Sequence, residues 1–312
     1  MNILLTGATS LTGFWFASAL RDAGHSVLCL LTRPDARAYD GKQRERFRLL
    51  QNNFQLVFDA SFGSPRFIDE LSRNPVDLLC LHGAHIPDYR SQEFDIASSL
   101  GQNLRAIAQV FKVVAERRLP VMLTGTVFEP GQGGAGQNPP GSPYGLAKGI
   151  ITQVFRFYSD RAGTSLGHFV VPNPFGPFED PKFTHYLAKS WFHGEVPEVK
   201  TPDYVRDNIP APLLAMAYQD ACEQLMQLNG KFIVFKPSGY REKQGEFALR
   251  VAREFAARTS FSCSAKLNEQ KDFTEPMARY NDDSILERYP QFSEKKFWDQ
   301  YVDYYRTALA GS

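Results

Sequence analysis

Tyr144 and Lys148 stand four residues apart in Tyr144-Gly-Leu-Ala-Lys148, and Thr124 lies twenty residues upstream of Tyr144 on a strand-like run. Four residues is about one helical turn, so a phenol and an ammonium at that spacing share a face. A phenol has a reference pKa of about 10, too high for a good base at neutral pH without a nearby cation. Protonated Lys148 would supply that cation, and the Thr124 hydroxyl could donate to the same oxygen that Tyr144 protonates. The pair alone is a weak signal, because both residue types and this spacing are common. It gains weight from Gly7-Ala-Thr-Ser10-Leu11-Thr-Gly13, a glycine-bearing turn directly after the first apolar run. Together they predict hydride transfer at a carbon–oxygen centre with Tyr144 as its acid/base.

Such residues need a scaffold, and short apolar runs at 3–5, 27–31, 55–58, 78–81, 121–124 and 168–171 read as strands buried on both faces. Helical patterns at 14–23, 67–73, 94–117 and 144–162 lie between them. This alternation predicts an α/β fold, a doubly wound parallel (Rossmann) sheet with a smaller C-terminal substrate-binding domain. The dinucleotide-binding domain is expected over 1–172 plus about 207–236, and the substrate-binding region over 173–206 and 237–312. Between Thr124 and Tyr144, nine of the fifteen residues 129–143 are Gly or Pro, so no regular element fits. An active-site lid and a plain surface loop are both open readings there. Phe297, Tyr301, Tyr304 and Tyr305 recur at helical spacing near the end, a pattern of core packing.

With 43% hydrophobic residues the chain can bury a sizeable core, and its net charge of +1 argues against a nucleic-acid footprint. Arg44-Glu-Arg-Phe-Arg48 reads as a solvated helix face. No leader is readable before Asn2-Ile-Leu-Leu-Thr6, and no apolar run approaches the ~20 residues that cross a bilayer. Cys29, Cys80, Cys222 and Cys263 show no pairing pattern, and Cys29 and Cys80 look like small core residues. A reducing cytoplasm is the expected setting. His82 and His85 lack accompanying carboxylates or cysteines, so no metal is expected.

In the Gly7–Gly13 turn the first glycine permits the bend and the last permits close packing of helix on strand, with the helix start facing a pyrophosphate. Ser10 stands where a middle glycine is usual, and its hydroxyl could donate to a phosphate oxygen. At the end of the second strand, Leu30-Leu31-Thr32-Arg33 lacks the acid that would hold an NAD ribose. Arg33 could pair with a 2′-phosphate, which favours NADP(H) over NAD(H); an Arg33 that simply meets solvent is the alternative. Asp59, followed by Ala60, is placed to accept from an adenine amino group.

These residues resemble the extended short-chain dehydrogenase/reductase family, the nucleotide-sugar epimerase/dehydratase/reductase group. The resemblance spans nearly the whole chain: Gly7 and Gly13, His82-Gly83-Ala84, Asn103, Thr124, Tyr144 and Lys148, Asn173-Pro-Phe-Gly-Pro177 and Val205-Arg-Asp207. It implies that Lys148 holds the nicotinamide ribose, that Pro172 lines the nicotinamide, and that Thr126 and Asn173 meet the substrate. It also implies that Arg206 binds the sugar diphosphate, with Arg279 a further candidate, and that two copies pair through the 94–117 and 144–162 helices. For either arginine a surface ion pair is the alternative.

Departures narrow the reaction. Sugar dehydratases of this group carry Asp-Glu after the catalytic Thr, whereas this chain has Gly125-Thr126. His185 has no cysteine beside it in sequence for combined epimerisation and reduction, and Asn208-Ile-Pro-Ala-Pro212 replaces the usual stretch after Arg206. The leading expectation is an NADPH-dependent 4-keto reductase acting on a nucleotide-linked sugar. A 4-epimerase with bound NAD is the alternative, since it uses the same residues twice. A non-catalytic dinucleotide sensor would not need Thr124, Tyr144 and Lys148 together, and a reductase of apolar ketones would not need Arg206 and Asn173.

Overall fold

Runs buried on both faces become adjacent strands only when helices cover both sides, and the chain supplies both in alternation. The computed structural model describes residues 1–134 and 141–309. The first half runs β1 (Asn2–Thr6), α1 (Leu11–Asp22), β2 (Ser26–Leu30), α2 (Gly41–Gln51), β3 (Gln55–Val57), α3 (Pro65–Arg73), β4 (Leu78–Leu81), α4 (Ile96–Asn103), α5 (Ile107–Arg117), β5 (Val121–Thr126), α6 (Pro143–Ala162) and β6 (Leu166–Val171). The second half runs β7 (Asn173–Phe175), α7 (Phe183–Phe192), β8 (Glu198–Val199), β9 (Val205–Pro210), α8 (Ala211–Met226), β10 (Phe232–Phe235), β11 (Pro237–Ser238), β12 (Tyr240–Lys243), α9 (Gln244–Ala256), β13 (Lys266–Leu267), β14 (Ala278–Arg279), β15 (Asp283–Ser284) and α10 (Glu294–Leu309).

Seven parallel strands form the main sheet in the order β10-β6-β5-β4-β1-β2-β3, the expected doubly wound architecture. The winding reverses between β1 and β4, so a crevice opens beyond the carboxyl ends of those two strands. One face packs on α1 and α8, where Phe16 stacks on Tyr218 with ring centroids 3.9 Å apart. The other packs on α3, α5 and α6 through Phe67, Phe111 and Phe155. Each fully buried side chain of this size contributes about 1.5–3 kcal/mol.

β9 lies outside this sheet and centres a second one, antiparallel to β12 and parallel to β14 and β7. Its core lies among α7, α9 and α10, with Trp191, Phe247, Phe255, Trp298 and Tyr301 buried. In the tail helix Phe297, Tyr301 and Tyr305 are buried, and the two tyrosine hydroxyls donate to buried Glu179. Tyr304 is only half-buried, beside Lys42.

Caps set the helix that carries Tyr144. Ser142 accepts from the Gly145 N–H at 3.2 Å, Pro143 occupies the first turn, and Gly163 ends the helix at φ 62°.

Two expectations change in the structure, and one contact is new. The helix foreseen over 94–117 is two helices, broken at Ala106 with φ 47°, beside the point where the Arg105 carbonyl is pressed against Gly63 so closely that a methyl there would overlap it. Within the basic run at 44–48, Arg46 is buried rather than solvated. It donates to the Thr9 and Phe178 carbonyls at 2.7 and 2.6 Å and pairs with Asp180 at 3.0 Å. Cys80 and Cys222, distant in sequence, meet with sulfurs 3.8 Å apart as free thiols. The lid considered for 129–143 falls partly on 135–140, outside the described residues. Among the described residues no helix is long and apolar enough to cross a membrane.

Candidate active site

The crevice at the sheet's switch point begins with the turn after β1. Gly7 has φ 76°, and a Cβ there would come within 2.6 Å of the Gly83 Cα. A methyl on Gly13 would overlap the Gly7 carbonyl oxygen. The turn can therefore nest against the β4 loop only with glycine at both positions. Ser10 caps α1: its Oγ accepts from the Gly13 N–H at 3.1 Å and donates to the Gly7 carbonyl at 2.9 Å. The hydroxyl read as a phosphate donor is thus engaged within the turn. Leu11 starts the helix, whose first N–H groups have no partner inside it and face the crevice with the positive end of the dipole. A glycine cradle below a helix start fits a dinucleotide pyrophosphate.

His82 ties this turn to the reacting strand. Its Nε2 lies 2.9 Å from Ser10 Oγ and 3.0 Å from Thr12 Oγ1, and its Nδ1 lies 3.1 Å from Thr124 Oγ1. Burial and the Lys148 ammonium push its pKa down to about 3, so the ring is neutral. Both ring nitrogens bond to protein groups. Gly83 donates its N–H to Thr6 Oγ1 at 2.9 Å, and Ala84 follows it in the loop. Asn103 bonds the backbone N–H and carbonyl of exposed His85 at 2.8 and 3.0 Å, and also Ser99. Its amide therefore shapes the loop that frames the crevice. Among the described residues no group of three His, Cys, Asp or Glu is placed to hold a metal.

On α6, Tyr144, Lys148 and Thr152 recur every fourth residue along one stripe. Lys148 is 6% exposed, and its Nζ donates to the Thr124 carbonyl at 2.7 Å. The Tyr144 ring sits among Tyr89, Phe94 and Phe128, with centroids 5.5, 6.2 and 6.0 Å away. Burial and the Glu129 carboxylate push the Tyr144 phenol above its ordinary pKa, and a bond from the Thr126 side chain works the other way. Burial pulls Lys148 down while Glu129 opposes that pull. The ammonium is turned to the Thr124 carbonyl, and Glu129 supplies an opposing charge.

Glu129 and His168 had no sequence signal beyond a loop start and a strand residue. Glu129 Oε1 accepts from the Thr126 N–H at 2.9 Å. Its Oε2 accepts from Thr152 Oγ1 at 3.0 Å and lies 3.2 Å from His168 Nε2. Burial pushes Glu129 up, but His168, Lys148 and Thr152 together hold it below its ordinary value. A methyl on Gly125 would overlap the His168 ring and come within 2.7 Å of Glu129 Oε1. Glycine at the position after Thr124 thus makes room for this pair.

The adenosine end is looser. Thr32 and Arg33 are exposed beyond the end of β2, and Arg33 forms no ion pair among the described residues. Asp59 is exposed with φ 54°, its N–H bonded to the Arg33 carbonyl at 3.0 Å, while buried Ala60 bonds Leu31 at 2.9 Å. Backbone bonds tie the two loops together, and the charged side chains remain in solvent.

At the substrate side Pro172 is buried after β6, and Asn173 opens β7 opposite Asn208. Strand register places Arg279 directly beside Arg206. Arg206 donates to the Val205 and Pro276 carbonyls at 2.9 and 3.1 Å and pairs with Glu275 at 2.9 Å. Arg279 reaches the same carboxylate at 3.2 Å and lies over the Phe128 ring at 4.0 Å. Two buried guanidiniums thus share one carboxylate that is 51% exposed, and Phe128 links them to Tyr144. An anion with more than one charge fits this excess of donors.

The model of the NAD dependent epimerase/dehydratase family matches residues 3–209. No curated protein matches the chain in sequence. Among solved structures the fold is similar to the UDP-glucose 4-epimerase of Thermotoga maritima with UDP-glucose, at TM-score 0.75 and 16% identity, covering 99% of this chain and 100% of that one. It is similar to the UDP-glucuronic acid 4-epimerase of Bacillus cereus in complex with UDP-glucuronic acid and NAD, at TM-score 0.74 and 19% identity, covering 99% and 100%. It is also similar to the UDP-glucose 4-epimerase of Stenotrophomonas maltophila with bound NAD and formylated UDP-arabinopyranose, at TM-score 0.76 and 16% identity, covering 100% of both chains.

Proposed function

This chain belongs to the NAD dependent epimerase/dehydratase family, as an enzyme of the extended short-chain dehydrogenase/reductase type, and we propose that it is a 4-epimerase of a nucleotide-diphosphate sugar. The observation that carries this reading is the convergence of Thr124, Tyr144 and Lys148 beyond the switch point, with two buried arginines beside them. Gly125 and Thr126 stand where dehydration would need an acid and a base. The NAD and UDP-sugars bound in similar folds support the choice of cofactor and substrate class.

The Gly7–Gly13 turn would hold the dinucleotide pyrophosphate, Lys148 the ribose, and Thr32, Arg33 and Asp59 the adenosine end. A bound nicotinamide dinucleotide supplies the hydride acceptor and donor. Tyr144 takes the proton of the sugar hydroxyl as its carbon loses hydride. It returns that proton when the carbon regains hydride on its other face, so the reaction has no net redox change. With Nδ1 protonated, His82 donates to Thr124 and leaves the Thr124 proton for the sugar oxygen. Arg206 and Arg279 hold the diphosphate, exchanging Glu275 for it.

A 4-keto reductase using NADPH is the second reading, favoured by the exposed Arg33 and the missing acid after β2. Denaturing the purified protein and identifying any released dinucleotide separates the two. Tightly held NAD supports the epimerase, and an empty protein that takes up NADPH supports the reductase. A protein that neither releases nor binds a dinucleotide overturns both.

A further inference from the structure

The register of β14 on β9 sets Arg206 and Arg279 side by side, and they are 7% and 5% exposed. Like charges on paired strands repel, and a buried cation is costly unless its partners offset the lost water. One carboxylate answers both guanidiniums. Glu275 lies 2.9 Å from Arg206 and 3.2 Å from Arg279. The other close neighbours are the Val205 and Pro276 carbonyls and the rings of Tyr204 and Phe128. Stability alone gives no reason to gather two buried cations around one half-exposed anion.

The cations are fixed in strands, and the anion is not. Glu275 belongs to the segment between β13 and β14. Buried Gln270 anchors the start of that segment by accepting from the Asp203 N–H at 2.9 Å, and the β14–β9 pairing anchors its end. Residues 271–275 between these anchors are exposed. Asp272 accepts from the N–H and hydroxyl of Thr274, inside the segment itself. Glu275 ties the exposed stretch to the β9 region, through its carboxylate on the two arginines and its N–H on the Tyr204 hydroxyl at 3.2 Å.

We propose that Glu275 is an internal ligand of the anion subsite: its carboxylate stands where a substrate phosphate would, and a phosphate-bearing substrate displaces it and thereby frees the segment 271–275. The proposal rests on the reading of Arg206 and Arg279 as the diphosphate site. A tethered carboxylate competes at an effective concentration of roughly millimolar. It lowers the apparent affinity of every anion by the fraction of molecules in which it is released. A monoanion offers the arginines no more charge than Glu275 does, so it does not displace the carboxylate below that concentration. A diphosphate brings more charge and more acceptors to the two forks, and displaces it. Glu275 thus sets the threshold that an anion must pass to occupy the subsite.

Inorganic pyrophosphate is the probe, titrated calorimetrically into the wild type, Glu275→Gln and Glu275→Gln/Arg279→Ala. Glu275→Gln keeps the side-chain shape and deletes the competing charge. It is expected to bind pyrophosphate about tenfold more tightly than the wild type. The second substitution should abolish that gain, which separates this subsite from the Gly7–Gly13 turn. Hydrogen exchange of the wild type supplies a reading that needs no variant. Amides of 271–275 should exchange faster with pyrophosphate bound, because the segment has lost its tie, whereas a ligand that merely settled on the segment would slow them. Equal affinity of the wild type and Glu275→Gln, or exchange that slows or stays the same, overturns the proposal and leaves the diphosphate reading standing. A double variant that binds as tightly as Glu275→Gln shows that the arginines are not the anion site, and then the diphosphate reading falls as well.

Discussion

The two ends of the crevice differ in how firmly they hold their polar groups. At the reaction end Thr124, Lys148, Glu129 and His168 are buried, and each has a bonded partner within the same cluster. At the adenosine end Thr32, Arg33 and Asp59 are exposed, and only backbone bonds join their loops. Charges in a dry, bonded cluster act strongly on one another, whereas exposed charges are screened and worth roughly 0–1 kcal/mol. On the proposed reading of the site, the contrast teaches that proton chemistry is built into the folded protein, while choice between NAD and NADP would rest with side chains that the fold leaves in solvent.

The sharpest way to break this contrast is Tyr144→Phe. Turnover should fall by about 10²–10⁴, the usual contribution of a positioned acid/base, with dinucleotide affinity within a few-fold of the wild type. Retained turnover would remove Tyr144 from the chemistry. A smaller effect should follow Arg279→Ala, which takes away one of the two buried arginines proposed to hold the diphosphate. KM for a nucleotide sugar should rise about tenfold to a hundredfold with kcat nearly unchanged, since charged hydrogen bonds contribute about 1.5–3 kcal/mol. An unchanged KM would leave Arg279 as a structural partner of Glu275. The smallest change belongs to the adenosine end: Arg33→Ala should weaken NADP(H) by less than about tenfold and leave NAD(H) alone. Equal loss for both would show that Arg33 does not read a 2′-phosphate.

The strands and the Tyr144 stripe were legible because they are local. A doubly buried strand announces itself as a short apolar run, and a helix face as a repeat of three or four residues. The break at Ala106 was not legible, and the contact made beside it, between the Arg105 carbonyl and Gly63, joins positions far apart in the chain. The burial of Arg46 escaped for a similar reason: its acceptors, Thr9 and Phe178, come from two distant loops. Arg279 became a neighbour of Arg206 only through the pairing of β14 with β9. Ser10 and Asn103 were seen as polar groups in the right place, yet their bonds go to the protein.

What the sequence determined by itself is the doubly wound sheet, the glycine turn and the phenol–ammonium pair, all properties of residue type at short spacing. Tertiary structure decided the electrostatic state of that pair. The parallel register of β5 and β6 brings His168 and Glu129 together behind Gly125, and their distance from Tyr144 and Lys148 is set by packing. Charge interactions depend on separation and on the water excluded between groups, and neither quantity exists until the chain has folded.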